Sequence, residues 1–262
     1  EPGAVAWFDG WYWHGPPAPL EPAGEDKRFF PTLPTLRIGA AWLGMAAVAV
    51  LMGTNLMQNL DDEIVVAFIG LFALGFNVIG YPLVAAVASY KFGTGRPVHD
   101  LGLRARLDDL WIGPLGGIAL LIVAVLSGIL VQVVGLPEGS NLDELEEIGQ
   151  NGAVFALMFV LAGIVAPITE ELIFRGVIQR GLASKMSPVA ALFVQGVIFG
   201  VAHFLLTQGW GNVGLIFSLS CLGFVLGFIA HFTGRLIPAM VAHSIFNCSQ
   251  LALLWVSLGA SG

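Results

Sequence analysis

The chain has 262 residues, of which 56% are apolar and only 11% charged, with a mean hydropathy of +0.84, whereas an ordinary globular domain is about a quarter charged. That composition excludes a soluble globular domain and predicts an integral membrane protein. The net charge of −7 comes from acids clustered in short connecting segments, so it describes loops and gives no footprint for nucleic acid.

Residues 1–35 are rich in Pro, Gly and aromatics (Trp7, Phe8, Trp11, Tyr12, Trp13) without helical periodicity. They read as an irregular arm, either folded back on its own protein or docking onto a partner in a larger membrane complex. The start at Glu1 rather than at methionine is expected to be processed, trimmed or incompletely known, a removed leader included, and nothing remaining looks like a signal peptide. Seven apolar runs follow, at 38–57, 64–90, 115–134, 153–180, 188–206, 213–232 and 237–258. Each approaches the about 20 helical residues needed to cross ~30 Å of hydrocarbon. The expected fold is an all-α, polytopic transmembrane bundle of about seven spans. It divides into the arm (1–35), two N-terminal transmembrane helices (36–100) and a core (101–262). Asn77 in the second span reads as polar glue between helices. The segment 101–111 (LGLRARLDDLW) has leucines and charges at helical spacing. It is expected to lie along the membrane interface or to form a short connecting helix.

All 11 Lys and Arg residues fall on one side of an alternating seven-span chain: Lys27, Arg28, Arg37, Lys91, Arg96, Arg104, Arg106, Arg175, Arg180, Lys185 and Arg235. The opposite loops hold Asp61, Asp62, Glu63, Glu138, Asp143, Glu144, Glu146 and Glu147 and no basic residue. The bias of Lys and Arg toward the cytoplasm predicts a cytoplasmic N-terminus, in the cytoplasmic membrane of a prokaryote.

Ionisable side chains are expensive in hydrocarbon, and those found there mark functional sites. Here they are few and grouped. Span 4 holds Glu170 and Glu171, followed by Arg175; span 5 holds Phe199 and His203; span 7 holds His243 and Asn247. Each of Glu171/Arg175, Phe199/His203 and His243/Asn247 is an i, i+4 pair on one helix face. Glu171 and Arg175 are expected to neutralise each other, leaving Glu170, about 100° round the helix, to point elsewhere. Glu170 and His203 are nearly equidistant from the turn at 184–187, about 25 Å along each helix, so they are expected to sit level. His243 lies only about 12 Å beyond the turn near Arg235, so it meets Glu170 only if that turn is set deep or span 7 tilts. His231 reads as interfacial, and Cys221 and Cys248, inside apolar runs, carry no assigned role.

The stretch Glu170-Glu171-Leu172-Ile173-Phe174-Arg175 resembles the EExxxR signature of the CAAX-protease and bacteriocin-processing family. Phe199 to His203 is similar to its FxxxH motif, and His243 to Asn247 to its third motif, in the family's order. The resemblance covers roughly 101–258 and leaves the arm and first two spans unmatched. It implies an endopeptidase acting within or at the membrane on a membrane-associated substrate, prenylated or bacteriocin-like. Glu170 would be the activating carboxylate, His203 and His243 its imidazole partners, and Asn247 a polar donor, with Glu171, Arg175 and Phe199 in support.

The chemistry stands beside that resemblance. Amide hydrolysis needs an activated water and a donor for the developing oxyanion, and desolvation can tune a carboxylate to act as base near neutrality. The preferred reading is a glutamate-activated water with no cofactor required. Glu170, His203 and His243 as a His2Glu zinc site with water in the fourth position is the alternative. A non-catalytic accessory subunit docked through the aromatic arm, and a transporter using the same residues as a relay, are the competing functions. Transport is disfavoured because the sequence has no inverted repeat.

Overall fold

The computed structural model describes residues 78–91, 93–140, 142 and 152–260. The aromatic arm, the first predicted span, most of the second with Asn77, and the acidic stretch 143–151 lie outside the described residues. Among those described, every regular element is helical. They are α1 (Val78–Lys91), α2 (Pro97–Asp100), α3 (Asp109–Val134), α4 (152–183), α5 (Pro188–Val201), α6 (Asn212–Thr233) and α7 (Ile237–Ala260). A 3₁₀ turn, Leu206–Gly211, joins α5 to α6. Four helices (α3, α4, α6 with the turn before it, and α7) are long and apolar enough to cross a membrane, while α1 and α5 are shorter. The protein is an integral membrane protein.

Five helices close a ring. α5 packs on α6, α6 on α3, α3 on α7, α7 on α4, and α4 back on α5. Small residues set the tightest seam. Gly196 and Gly200 of α5, spaced GxxxG, lie against α6, where Gly196 meets Gly223 and Gly200 meets Ser220 and the Ile216 carbonyl. A Cβ on Gly223 would come within 3.1 Å of the Gly196 backbone. This close approach is how membrane helices associate where the apolar solvent offers no hydrophobic drive. The outward face of α3 (Ile118, Ile122, Val125, Ile129, Val133) is exposed and wholly apolar, as a lipid-facing surface must be.

Two predicted elements differ. Residues 101–111 do not form an interfacial or connecting helix: 101–108 is irregular and α3 begins at Asp109. Gly102 takes φ +64°, a conformation L side chains rarely adopt, and a Cβ there would strike the Gly234 carbonyl. Gly102 O accepts from Leu236 N at 3.0 Å. Arg235 donates to Asp109 Oδ1 at 2.5 Å and to Asp108 Oδ2 at 3.2 Å. Burial draws the Arg235 guanidinium down, but hydrogen bonds and charge from Asp109 and Asp108 more than reverse this and hold it above its ordinary value. The segment is thereby pinned over the α6–α7 turn. The second difference is span 5, which stops at Val201 and not at 206. Its ladder tightens, with Phe204 N bonding Val201 O at 3.1 Å, and Asn212 then clamps both the N–H (2.9 Å) and the carbonyl (2.6 Å) of Leu205. His203 therefore lies just past a helix end.

Candidate active site

α4 carries the acids, and its backbone is not uniform. Two π-helical segments, Leu161–Val165 and Leu172–Gln179, flank the α-helical stretch Ala166–Glu171. Pro167 explains part of this. It has no N–H, so the Ala162 carbonyl, five residues earlier, loses its π-type donor and the Gly163 carbonyl its α-type donor. α7 supplies the replacements: Asn247 Nδ2 donates to Ala162 O at 2.8 Å, and Cys248 Sγ reaches Gly163 O at 3.7 Å. Irregular helix at membrane depth is tolerated where such partners exist, and π segments recur at functional sites.

The adjacent glutamates face different surroundings. Glu171 is fully buried; its Oε1 accepts from Arg175 Nη1 at 2.7 Å and faces His243 Nδ1 at 2.9 Å. Arg175 also donates to the Gly223 carbonyl (2.9 Å) and lies 4.5 Å over the Phe199 ring. Glu170 points into the ring's interior. Its Oε2 is 3.8 Å from His203 Nε2 and 3.9 Å from His243 Nε2. That oxygen is shielded from solvent and has no hydrogen-bond partner among the described residues.

Both imidazoles are oriented from behind. His203 Nδ1 meets the Phe199 carbonyl at 2.8 Å; a carbonyl only accepts, so Nδ1 carries the hydrogen and Nε2 is left with a lone pair in the neutral ring. His243 Nδ1 stands in the same relation to the Glu171 carboxylate. Phe199 is the wedge between them, with ring centroids 4.6 Å from His203 and 5.8 Å from His243, and an edge contact of 5.0 Å with Phe174. His243 reaches this depth because the α6–α7 turn is covered by the 100–104 segment: Leu236 is fully buried.

These groups border a cavity of about 360 Å³ whose lining includes Glu170, Phe199, His203, His243 and Asn247. Its other walls are mostly apolar, chiefly Leu120, Leu215, Leu219, Leu222 and Leu226, with Ser140, Ser218 and Gln250 as polar members. A small polar constellation in an apolar cleft is the general form of a ligand site.

Zinc was a candidate for the Glu170, His203 and His243 set. Tetrahedral zinc with bonds of about 2.0–2.1 Å puts neighbouring donor atoms about 3.3–3.4 Å apart, closer than Glu170 stands to either ring. Among the described residues no three His, Cys, Asp or Glu side chains converge to hold a metal ion. The separations of 3.8 and 3.9 Å between Glu170 Oε2 and the two Nε2 atoms also match a shared water, whose hydrogen bonds of about 2.8 Å hold acceptors about 4 Å apart when the angle at oxygen is near a right angle.

The sequence reading missed the bond between Glu171 and His243, having paired Glu171 only with Arg175. It also passed over Gln179 and Gln195, both buried, which donate to the carbonyls of Gly227 (2.9 Å) and Gly223 (2.7 Å). Uncharged amides within apolar runs were the available signal for these two.

Comparison with known proteins bears on the same segment. Residues 152–249 match the family model described as type II CAAX prenyl endopeptidase Rce1-like. A Bacillus subtilis (strain 168) protein named "Putative membrane peptidase YdiL" is 31% identical over 91 residues, or 35% of this chain and 34% of the relative. The chain thus spans about a third of the length of the curated relative it matches. No solved structure gave a significant match. The matched segment holds the acid pair, the wedge Phe199, both histidines and Asn247, and over that segment the chain is similar to the type II CAAX prenyl endopeptidase Rce1-like family.

Proposed function

We propose that this protein is an intramembrane endopeptidase that hydrolyses a peptide bond of a membrane-associated substrate, prenylated or bacteriocin-like, with a water held by Glu170, His203 and His243. The observation that carries the reading is the approach of two rear-anchored Nε2 atoms to Glu170 Oε2, at 3.8 and 3.9 Å. Water offers two hydrogens to three acceptors there, and its oxygen lone pair is left free to attack the scissile carbonyl carbon.

In the forward step Glu170 takes one water proton as the C–O bond forms. The oxyanion is met by donors at the cavity wall. Asn247 spends one amide hydrogen on Ala162 O and keeps a second, since the NH₂ group has two. When the C–N bond breaks, the proton on Glu170 passes to the leaving amine and the second water proton stays with the new carboxylic acid, so atoms and charge balance. Glu171 and Arg175 act behind the reacting groups. Arg175 balances the Glu171 charge, and Glu171 fixes the tautomer and tilt of His243. No step needs a metal. The reading carries the seven-span topology with a cytoplasmic N-terminus in a prokaryotic cytoplasmic membrane.

The test is cleavage of a fluorogenic lipidated peptide by purified protein in nanodiscs, native against Glu170→Gln. Abolished cleavage in a variant of unchanged melting temperature supports the peptidase. Cleavage unaffected by the substitution sinks it. A preparation that cleaves nothing but co-purifies with a multi-subunit assembly through residues 1–35 supports the accessory-subunit reading instead.

A further inference from the structure

The amides on the membrane helices are of two kinds. Gln179 and Gln195 are buried and donate to the carbonyls of Gly227 and Gly223, so they tie helix to helix. Gln250 is different: half-buried on α7, it lines the cavity and its side chain makes no hydrogen bond among the described residues. Ser218 is its counterpart on α6. Ser127 and Ser220 turn their hydroxyls back to carbonyls three and four residues earlier, at 3.0 and 2.6 Å, as helical hydroxyls commonly do. The hydroxyl of Ser218 makes no such bond among the described residues and borders the same cavity. A polar group without a partner in apolar surroundings costs free energy, and Leu215, Leu219 and Leu222 form the wall beside these two.

Their placement relates them to the reacting groups. His243, Asn247 and Gln250 stand at i, i+4 and i+7 and share one face of α7. At 1.5 Å per residue, Gln250 lies about 4.5 Å along the axis beyond Asn247 and about 10 Å beyond His243. Ser218 and Gln250 are 17 and 15 residues from Arg235 in the α6–α7 turn. That is roughly 25 and 22 Å of helix, so the two come nearly level across the cavity. An extended peptide advances about 3.3 Å per residue. With the scissile carbonyl beside Asn247, the backbone amide one or two residues along reaches the level of Gln250. A primary amide offers both a donor and an acceptor, which complements the N–H and C=O of a peptide backbone, and a hydroxyl offers the same pair in smaller form.

We infer that Gln250, with Ser218 opposite, is a substrate-binding residue: the two hydrogen-bond the backbone of the peptide one or two residues from the scissile bond and hold it extended past Asn247. Naming the ligand as a peptide rests on the peptidase reading.

The experiment uses the full chain in nanodiscs and a fluorescent lipidated peptide. Kd is read by anisotropy in the Glu170→Gln background, where no turnover intervenes, and kcat and KM are read with Glu170 in place. Gln250→Met keeps the length of the side chain and removes its hydrogen-bonding groups. Kd and KM should rise about tenfold, as for the loss of one or two hydrogen bonds, with kcat changed far less. The melting temperature should hold or rise, because the replaced group had no protein partner to lose. Ser218→Ala should raise Kd about threefold. Peptides in which one backbone amide flanking the scissile bond is replaced by an ester, which lacks the N–H, identify the contact. At one of those positions the ester should weaken binding to the protein that keeps Gln250 and leave binding to Gln250→Met unchanged. An unchanged Kd in Gln250→Met overturns the inference, and so does an ester penalty that is the same with and without Gln250. A chain that cleaves nothing while Gln250→Met still weakens peptide binding defeats the proposed function and leaves the contact standing. Cleavage with an unaltered KM in Gln250→Met does the reverse.

Discussion

Glu170 and Glu171 are neighbours of identical chemistry in two different regions. Glu171 belongs to a closed polar layer with Arg175, Gln179 and Gln195, in which each head group directly contacts a partner on another residue. Glu170 belongs to an open region where a carboxylate and two imidazoles approach without touching. One residue of helix rotation separates a group that holds helices together from a group left available for chemistry. Burial of charge is costly in both regions. In the closed layer a direct ion pair offsets much of that cost, although Glu171 Oε2, Arg175 Nε and the two Gln Oε1 atoms have no hydrogen-bond partner among the described residues, whereas in the open region Glu170 has no direct ion pair at hydrogen-bond distance.

The largest expected effect tests that contrast directly. Glu170→Gln keeps the size and removes the base, so peptide cleavage should fall about 10²–10⁴-fold, the usual range for loss of general acid–base catalysis, with little change in melting temperature. Glu171→Gln should do the opposite in emphasis, lowering thermal stability clearly while leaving measurable turnover. Equal effects of the two substitutions on both readouts would erase the distinction.

Next in size is the closed layer itself. Arg175→Met leaves the Glu171 carboxylate buried with no cation, and breaking such a pair typically costs about 3–5 kcal/mol. Adding Glu171→Gln to Arg175→Met should recover much of that loss in urea unfolding in detergent. It should not restore full activity, because His243 has then lost the carboxylate behind its Nδ1. Full recovery of both would reduce Glu171 to a purely structural residue.

Much of this was legible in the sequence, for physical reasons that differ by element. The spans that became α6 and α7 were readable within two residues at each end, and α3 at its C-terminal end with its start six residues early, because a lipid-facing helix must be apolar across the hydrocarbon. The i, i+4 spacing of Glu171 and Arg175 located their pairing because both lie on one helix. The end of α5 at Val201 was not legible, since its apolar run continues to Leu206 and the stop is made by backbone tightening and by Asn212. Nor was the fold of 101–108, whose conformation depends on Gly234, Arg235 and Leu236, more than a hundred residues away. The His243–Glu171 contact was hidden because the depth of the α6–α7 turn depends on that same cover.

A smaller effect probes the seam on which the ring depends. Gly200→Val would drive its Cβ into Ser220 Oγ and the Ile216 carbonyl. Overpacking of this kind costs about 1–3 kcal/mol. Because α5 ends at the site, it should also move His203 and lower turnover. Gly128→Ala on α3, with nothing within 4 Å of its new Cβ, should instead be neutral or slightly stabilising, by less than about 1 kcal/mol. If both glycines tolerate substitution equally, the GxxxG contact is not what positions His203.

The smallest effect concerns a carboxylate outside the membrane spans that belongs wholly to the closed kind. Burial pushes the Asp100 carboxyl up. Donors outweigh that: Ser89 Oγ at 2.5 Å, Thr94 N at 2.9 Å and Thr94 Oγ1 at 2.6 Å together hold it below the usual carboxylate range. A folded-state pKa below the unfolded value of about 3.9 means that the ionised form stabilises the fold at neutral pH. That contribution is present above the unfolded value and disappears as the pH falls through the lower folded one. Asp100→Asn should therefore cost about 1.5–3 kcal/mol at pH 7, the range for hydrogen bonds to a charged group, and should lessen the loss of stability between pH 5 and strong acid. The Asp100 carbonyl, which accepts from Arg180 Nη1, is untouched by the substitution, so the link from this corner to α4 persists and cleavage at neutral pH should be unchanged. A fall in activity as steep as that of Glu170→Gln would mean that saturation of a carboxylate by donors does not separate scaffold from site in this molecule.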